Sequence, residues 1–259
     1  MKILIITQND YFSIPNNVKL LCESNFCLVT SVIVINSNSN IFNKKLYFIK
    51  GFGLLQSAKM LLQILFRKFN SVFHFLSFYY YKKLPTLKLL SKVFKFDYKT
   101  IDDINNIVFY DYIKALNIDL IVSFSAPVVF GKQLLSIPKL GCVNLHCSLL
   151  PRYAGLFPSF WALYENSNEF GATVHFMDNK IDNGDVLKQC KIRIKKPISI
   201  FKLIHLTKKI GGQLMLSVID EMSSGVPVFP LKIPKPEFHY TWPTISEIKN
   251  FRNRGGELI

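Results

Sequence analysis

Apolar residues along this chain fall into short unbroken runs separated by stretches of helical spacing. Lys2–Thr7 and Cys27–Asn36 are such runs, rich in Ile and Val, and Ile118–Ser123 and Gly141–His146 repeat the pattern further on. Continuous runs of this length predict strands covered on both faces rather than one. Between them, Asn16–Glu23 has helical spacing. Asp102–Asn117 reads as an amphipathic helix opened by Asp102 and Asp103, acidic residues suited to a helix N-terminus. A short helix is predicted at Lys132–Ser136. Leu54, Leu55, Ala58, Leu61, Leu62 and Leu65 fall on one helical face, and the aromatic cluster Phe73–Tyr81 continues that helix in a register the spacing leaves open. Past Pro158 a helix through Trp161 and Tyr164 is expected, then strands at Ala172–Met177 and Val186–Ile194, a long helix over 199–223 and a last one over Ile245–Arg254.

Strands alternating with helices predict an α/β fold built on a mostly parallel, twisted, Rossmann-like sheet with a short C-terminal extension. The expected division is a main domain over 1–205 and a C-terminal helix and extension over 206–259. From Pro227 the extension is proline-rich and carries Phe238, Tyr240 and Trp242. It is too short for its own core and too aromatic to stay wet, so it is expected to pack on the main domain or in a homodimer contact.

Composition narrows the class. A chain of 259 residues that is 49% hydrophobic and 14% aromatic is not disordered and can bury one substantial core. No apolar run approaches the roughly 20 residues of a membrane span. The first run meets Gln8-Asn9-Asp10 and reads as a strand rather than a signal peptide, so a cytoplasmic protein is expected. The five cysteines show no paired zinc spacing, and no metal is expected; Cys142 and Cys147 read as small buried residues. Lys and Arg outnumber Asp and Glu by 32 to 17, a net charge of +15. That excess draws anions, but it lacks the arginine block or aromatic-basic ladder of an RNA binder, and no nucleic-acid partner is expected. Abundant Ile, Asn, Lys and Phe also fit a codon bias that carries no function.

Candidate chemistry gathers where Asn144 and His146 end an apolar run. Two residues apart on a strand, their side chains share a face. A carboxamide donor beside an imidazole suits acyl transfer: one holds an oxygen turning anionic, the other manages protons. Asp182, in the turn Ile181-Asp182-Asn183-Gly184-Asp185, can supply a carboxylate that orients the ring. Ser148 has no Gly-x-Ser-x-Gly elbow around it and is not read as a nucleophile.

The longer string is more specific. Asn144-x-His146-x-Ser148-Leu149-Leu150-Pro151, Arg152-Tyr153-x-Gly155, Gly171-x-Thr173-Val174-His175-Phe176 and Ile181-Asp182-x-Gly184, in this order and spacing, resemble the folate-dependent formyltransferases. The resemblance is close over about 100–200 and only in outline before that. It implies N10-formyltetrahydrofolate as cosubstrate, with Asn144, His146 and Asp182 as catalytic residues. It further implies a folate pocket formed by the backbone at Val128 and Phe130 and by the loop Met177, Asp178, Asn179, Lys180 and Ile181.

Three acceptor classes compete within that family. Glycinamide ribonucleotide enzymes have a glycine-rich anion loop after the first strand, where this chain has Gln8-Asn9-Asp10-Tyr11-Phe12-Ser13. Methionyl-tRNA formyltransferases grip tRNA with a barrel domain, and the segment after His205 is expected to be too short for one. Nucleotide-sugar N-formyltransferases resemble the chain in Pro158-Ser159-Phe160-Trp161 and in Tyr240-x-Trp242-Pro243-Thr244. The expected acceptor is therefore a dTDP-4-amino-4,6-dideoxyhexose, of the glucose configuration, for surface polysaccharide such as O-antigen. Arg152, Tyr153 and Trp161 are the candidates to meet its diphosphate and base. The alternatives are a methionyl-tRNA formyltransferase-like enzyme and an inactive formyltransferase-like binding protein.

Overall fold

The computed structural model describes residues 1–10, 12–36, 44–73, 85–195 and 197–259. In chain order the elements are β1 (Lys2–Gln8), α1 (Ile14–Cys22), β2 (Leu28–Ile35), α2 (Lys44–Phe52), α3 (Leu54–Phe73), α4 (Leu87–Phe94), β3 (Asp97–Ile101), α5 (Ile107–Leu116), β4 (Leu120–Phe124), α6 (Lys132–Leu135), β5 (Cys142–His146), α7 (Pro158–Tyr164), β6 (Phe170–Phe176), β7 (Val186–Ile192), α8 (Ile200–Ser223) and α9 (Ile245–Asn253). The strands form one seven-stranded sheet in the order β3-β2-β1-β4-β5-β6-β7. The pairings from β3 to β5 are parallel, whereas β5–β6 and β6–β7 are antiparallel. This is the expected mostly parallel α/β sheet. Strand order reverses at β1 and β4, so a crevice opens at their carboxyl ends, where open sheets hold ligands.

The unbroken apolar runs are explained by burial on both faces. Ile3 and Ile5 of β1 pack with Val18, Leu21, Leu90, Met215 and Val218. Leu4 and Ile6, pointing the other way, pack with Phe109, Ile113, Phe130 and Leu134. Each fully buried side chain of this size contributes about 1.5–3 kcal/mol of transfer free energy. On α8 the buried positions Leu203, Thr207, Gly211, Met215 and Val218 recur at three and four residues and face the sheet. A Cβ at Gly211 would stand 2.5 Å from Leu145 Cδ1, so glycine lets α8 lie directly on β5 between Asn144 and His146.

Several expectations shift. Asp102 and Asp103 precede the helix instead of opening it: α5 begins at Ile107, and Asn106 caps it by accepting the Phe109 N–H. Asparagine at the N-cap captures an orphan backbone donor, which a nearby acidic charge alone does not. Edge strand β3, half polar, was not anticipated. The expected helix over Phe73–Tyr81 is met only at Phe73, the end of α3, and its remaining residues lie outside the described ones. Residue 205 falls within α8, and Met215, Val218 and Ile219 beyond it belong to the sheet's own core.

The C-terminal extension packs on its own chain. Ile248 and Phe251 of α9 join Phe52, Phe160 and Leu203 in a third apolar cluster. Trp242 lies 5.0 Å from Phe157 and 6.1 Å from Tyr47, centroid to centroid. A capping box starts α9: Thr244 Oγ1 accepts from Glu247 N, and Glu247 accepts from Thr244 N at 2.7 Å. Thr244→Ala removes one of these bonds and is expected to lower stability by about 1 kcal/mol, read as a fall in denaturation midpoint with unchanged slope.

Candidate active site

β5 carries Asn144 and His146 to its carboxyl end, and antiparallel β6 lies alongside with His175 opposite Asn144 and Thr173 opposite His146. Asp182 enters from the turn that joins β6 to β7. Its backbone is left-handed, φ +45°, a conformation Asp tolerates better than most residues. Gly184 holds that turn tight: a Cβ there would stand 1.7 Å from the Phe176 carbonyl oxygen.

Four side chains meet there. His146 Nδ1 lies 3.3 Å from Asp182 Oδ2, and its Nε2 is 2.8 Å from the Tyr153 carbonyl oxygen. Oxygen acceptors at both nitrogens fix the orientation of the ring. His175 Nδ1 faces the Phe176 carbonyl at 2.7 Å and so donates there, while its Nε2 faces Asn144 Nδ2 at 3.1 Å and Asp182 Oδ1 at 3.5 Å. By accepting one amide hydrogen, His175 Nε2 orients Asn144 and leaves the second N–H for a substrate oxygen. Gly155 N donates to Asp182 Oδ2 at 2.7 Å.

Asp182 is nearly buried, and burial by itself would raise its pKa. The opposing charge of His146 and the Gly155 N–H are among the causes that outweigh burial and hold the carboxyl well below its ordinary 3.8. A carboxylate depressed in the folded state adds stability that is complete above its unfolded value and is lost as pH falls toward the folded one. Asp182 is therefore ionised, and its contribution intact, at any pH above about 4.

The sequence pattern thus brings Asn144, His146 and Asp182 together, and the structure adds His175. That residue stood in the recognised string but carried no assigned role. Ser148 is spoken for: its Oγ donates to the Arg152 carbonyl at 2.7 Å. Cys142 is buried, which pushes its thiol up to about 12.

A strap over 227–244 also reaches the Asp182 turn. Tyr240 pairs with Gly155 in a short parallel bridge. His239 Nε2 is 2.6 Å from the Ile181 carbonyl, and Lys235 donates to the Asn183 carbonyl at 2.8 Å and to Asp185 at 2.7 Å. Both flanks of Asp182 are thereby tied down by residues about fifty positions away in sequence.

The remaining candidates are spread more widely. In the loop Met177–Ile181, Met177 N donates to Cys142 O, and Asp178 accepts from Lys180 N and Asn183 Nδ2, a self-bonded turn beside Asp182. Asn179 and Lys180 are exposed on it. Val128 is partly exposed on the turn after β4, whereas the Phe130 side chain is core, leaving only its backbone to meet a ligand. Asn105 pins that turn through Val129 O and Gly131 N. Arg152 is paired with Glu169 at 2.9 Å. With Tyr153, Glu165, Glu169, Lys235 and Tyr240 it lines a cavity of about 690 Å³ that none of Asn144, His146 and Asp182 lines. Trp161 differs from expectation: it is buried, and its indole N–H donates to Thr241 O at 2.9 Å, so its ring is a core element.

At the end of β1, in place of a glycine loop, Asp10 accepts from Phe12 N at 2.6 Å and Ser13 N at 2.9 Å and pairs with Lys208 of α8 at 2.7 Å. Tyr11 lies outside the described residues. Burial opposes both charges, but each partner's charge prevails, keeping Asp10 low and Lys208 high. Among the described residues no His/Cys/Asp/Glu group could hold a metal ion, and no helix is long and apolar enough to cross a membrane.

Comparison with known proteins finds related sequences and related folds. The methionyl-tRNA formyltransferase of Ehrlichia ruminantium is 37% identical over 118 residues, 46% of this chain but 39% of that protein. The chain thus spans well under two thirds of that curated relative. Glycinamide ribonucleotide transformylase 1 from Symbiobacterium toebii superposes with a TM-score of 0.61 at 14% identity, over 87% of this chain and 88% of the other. A sugar N-formyltransferase from a Shewanella species gives 0.60 at 15% identity, over 97% of this chain and 87% of the other. At such identities these structures share the fold. The formyl transferase family itself matches residues 91–219, which include β5, β6, the Asp182 turn and most of α8. Residues 91–219 are thus a formyl transferase domain.

Proposed function

We propose that the protein moves a formyl group from N10-formyltetrahydrofolate to the amine of a nucleotide-linked amino sugar, a dTDP-4-amino-4,6-dideoxyhexose. The observation that carries formyl transfer is the convergence of Asn144, His146, His175 and Asp182 at the carboxyl end of β5. The donor set suits the cosubstrate: a neutral amide N–H and an imidazole N–H for a formyl oxygen, and an ionised carboxylate for an amine proton. The cosubstrate supplies the activated formyl carbon. Asn144 holds the oxygen as it turns anionic, and His146 shares that charge once its proton is free of Tyr153 or Asp182. Asp182 accepts the proton leaving the attacking amine, directly or through water, and the formyl C–N10 bond breaks as that proton passes to N10 and tetrahydrofolate departs.

The choice of acceptor is supported by the end of β1. The backbone N–H groups that a phosphate would need there are already bonded to Asp10. That disfavours a glycinamide ribonucleotide-type cradle. The cavity beside Arg152 holds three glutamates, Glu165, Glu169 and Glu237, so it is not where this proposal seats the sugar's diphosphate. A tRNA acceptor is the second reading, favoured by identity to a methionyl-tRNA formyltransferase. A homodimer through the strap, where Phe229 and Phe238 remain exposed, belongs to the same proposal.

Incubation with N10-formyltetrahydrofolate and a panel of nucleotide amino sugars tests it. A formyl mass increment on a dTDP-4-amino sugar is expected, and formylation of methionyl-tRNA alone would transfer the assignment to the second reading. The rate should fall as pH drops, because the acceptor amine must be unprotonated while Asp182 stays ionised. A pH–rate profile with one acid limb at the amine's own pKa is the expected result.

A further inference from the structure

We infer that the outer face of α3 docks the protein on an anionic lipid bilayer. α3 turns Ser57, Met60 and Ile64 inward, and Gln56 Oε1 accepts from Leu258 N, so one side of the helix is anchored to the body of the protein. The opposite side carries Leu54, Leu55, Leu61, Leu62, Leu65 and Phe66, all between 49% and 73% exposed. At about 100° per residue these side chains sweep an arc of roughly 140°. A helix on the surface of a globular protein normally turns polar residues outward, and this one does the reverse. Exposed Lys59 borders the stripe.

Charge selects the occupant. Between Glu23 and Asp97 the chain contains no Asp or Glu. The α2–α3 stretch within it holds Lys44, Lys45, Lys50, Lys59, Arg67 and Lys68. A second copy of this chain would set like charges against each other across the stripe, whereas anionic headgroups complement them. The net charge of +15 adds longer-range attraction to such a surface. At 20 residues α3 is about 30 Å long, yet it does not meet the criteria of a span. An apolar stripe bordered by Lys59 fits a helix lying in the headgroup plane with its leucines in the acyl boundary. The site at β5 needs no lipid for its chemistry, so this inference stands apart from the choice of acceptor.

Co-sedimentation of the full chain with lipid vesicles tests it. Vesicles of phosphatidylcholine mixed with phosphatidylglycerol should bind at least about tenfold more protein than phosphatidylcholine alone, and less as salt rises. Leu62→Asp/Phe66→Asp should cut that binding about tenfold or more, and the uncharged pair Leu62→Ser/Phe66→Ser should act in the same direction. Lys232→Gln/Lys249→Gln, an equal loss of charge elsewhere, should change it by no more than about twofold. Equal binding to both vesicle types, or equal weakening by the leucine-phenylalanine and lysine pairs, would overturn the inference. So would a chain that ignores vesicles and forms a dimer that Leu62→Asp/Phe66→Asp dissociates.

Discussion

Asp182→Asn is expected to slow formyl transfer by about a hundredfold or more, with the fold retained. Asn keeps the side-chain shape, tolerates the left-handed backbone of residue 182 and still accepts from Gly155 N. What it loses is the charge that faces both His146 and His175. The same change removes the acceptor for the amine proton, so two contributions fall together. His146→Ala and Asn144→Ala should each cost a comparable factor, since loss of one oxyanion donor typically raises the barrier by about 3 kcal/mol. The three effects should not add, because the residues act through one another. Steady-state rates on the purified variants, with denaturation midpoints alongside, check the claim, and near-normal turnover in His146→Ala would refute the assigned mechanism.

Gly184→Ala should be about as damaging, although residue 184 has no side chain to take part in the chemistry. The added Cβ would meet the Phe176 carbonyl oxygen at 1.7 Å and its carbon at 2.6 Å, both backbone atoms. Neither can yield as a flexible side chain would, so the turn must move. A displacement near 1 Å at Asp182 suffices to cost about a hundredfold in rate. Retained circular dichroism with collapsed turnover is the expected pattern, and unchanged turnover would mean that the turn is not the positioning device described.

Much of this site was legible in the residues themselves. The two-residue period of a strand put Asn144 and His146 on one face, and the Asp-Asn-Gly turn marked where a carboxylate would enter. The parallel sheet followed from Ile- and Val-rich runs, because burial on both faces removes alternation. His175 was less legible. A histidine on an apolar strand looks the same whether it is packed or functional, and only the antiparallel register that sets it opposite Asn144 gives it a role. Lys235 and His239 were hidden for a similar reason: their bonds to the Asp182 turn join segments that no local pattern connects. Trp161 was ambiguous because a tryptophan after a motif looks the same as a ligand platform or as a core element until its N–H is seen bonded to Thr241. The start of α5 was misplaced because acidic residues favour a helix N-terminus in general, while the side-chain bond of Asn106 decides it here.

The most direct test of the account is a side-by-side assay of the unaltered chain, Asp182→Asn and His175→Ala with N10-formyltetrahydrofolate and a dTDP-4-amino-4,6-dideoxyhexose, followed by mass spectrometry of the sugar. The account predicts a formyl increment with the unaltered chain. It predicts about a hundredfold less with Asp182→Asn and a clear loss with His175→Ala, whose ring orients Asn144. Formylation at equal rates by all three proteins would contradict it, placing the chemistry somewhere other than the end of β5.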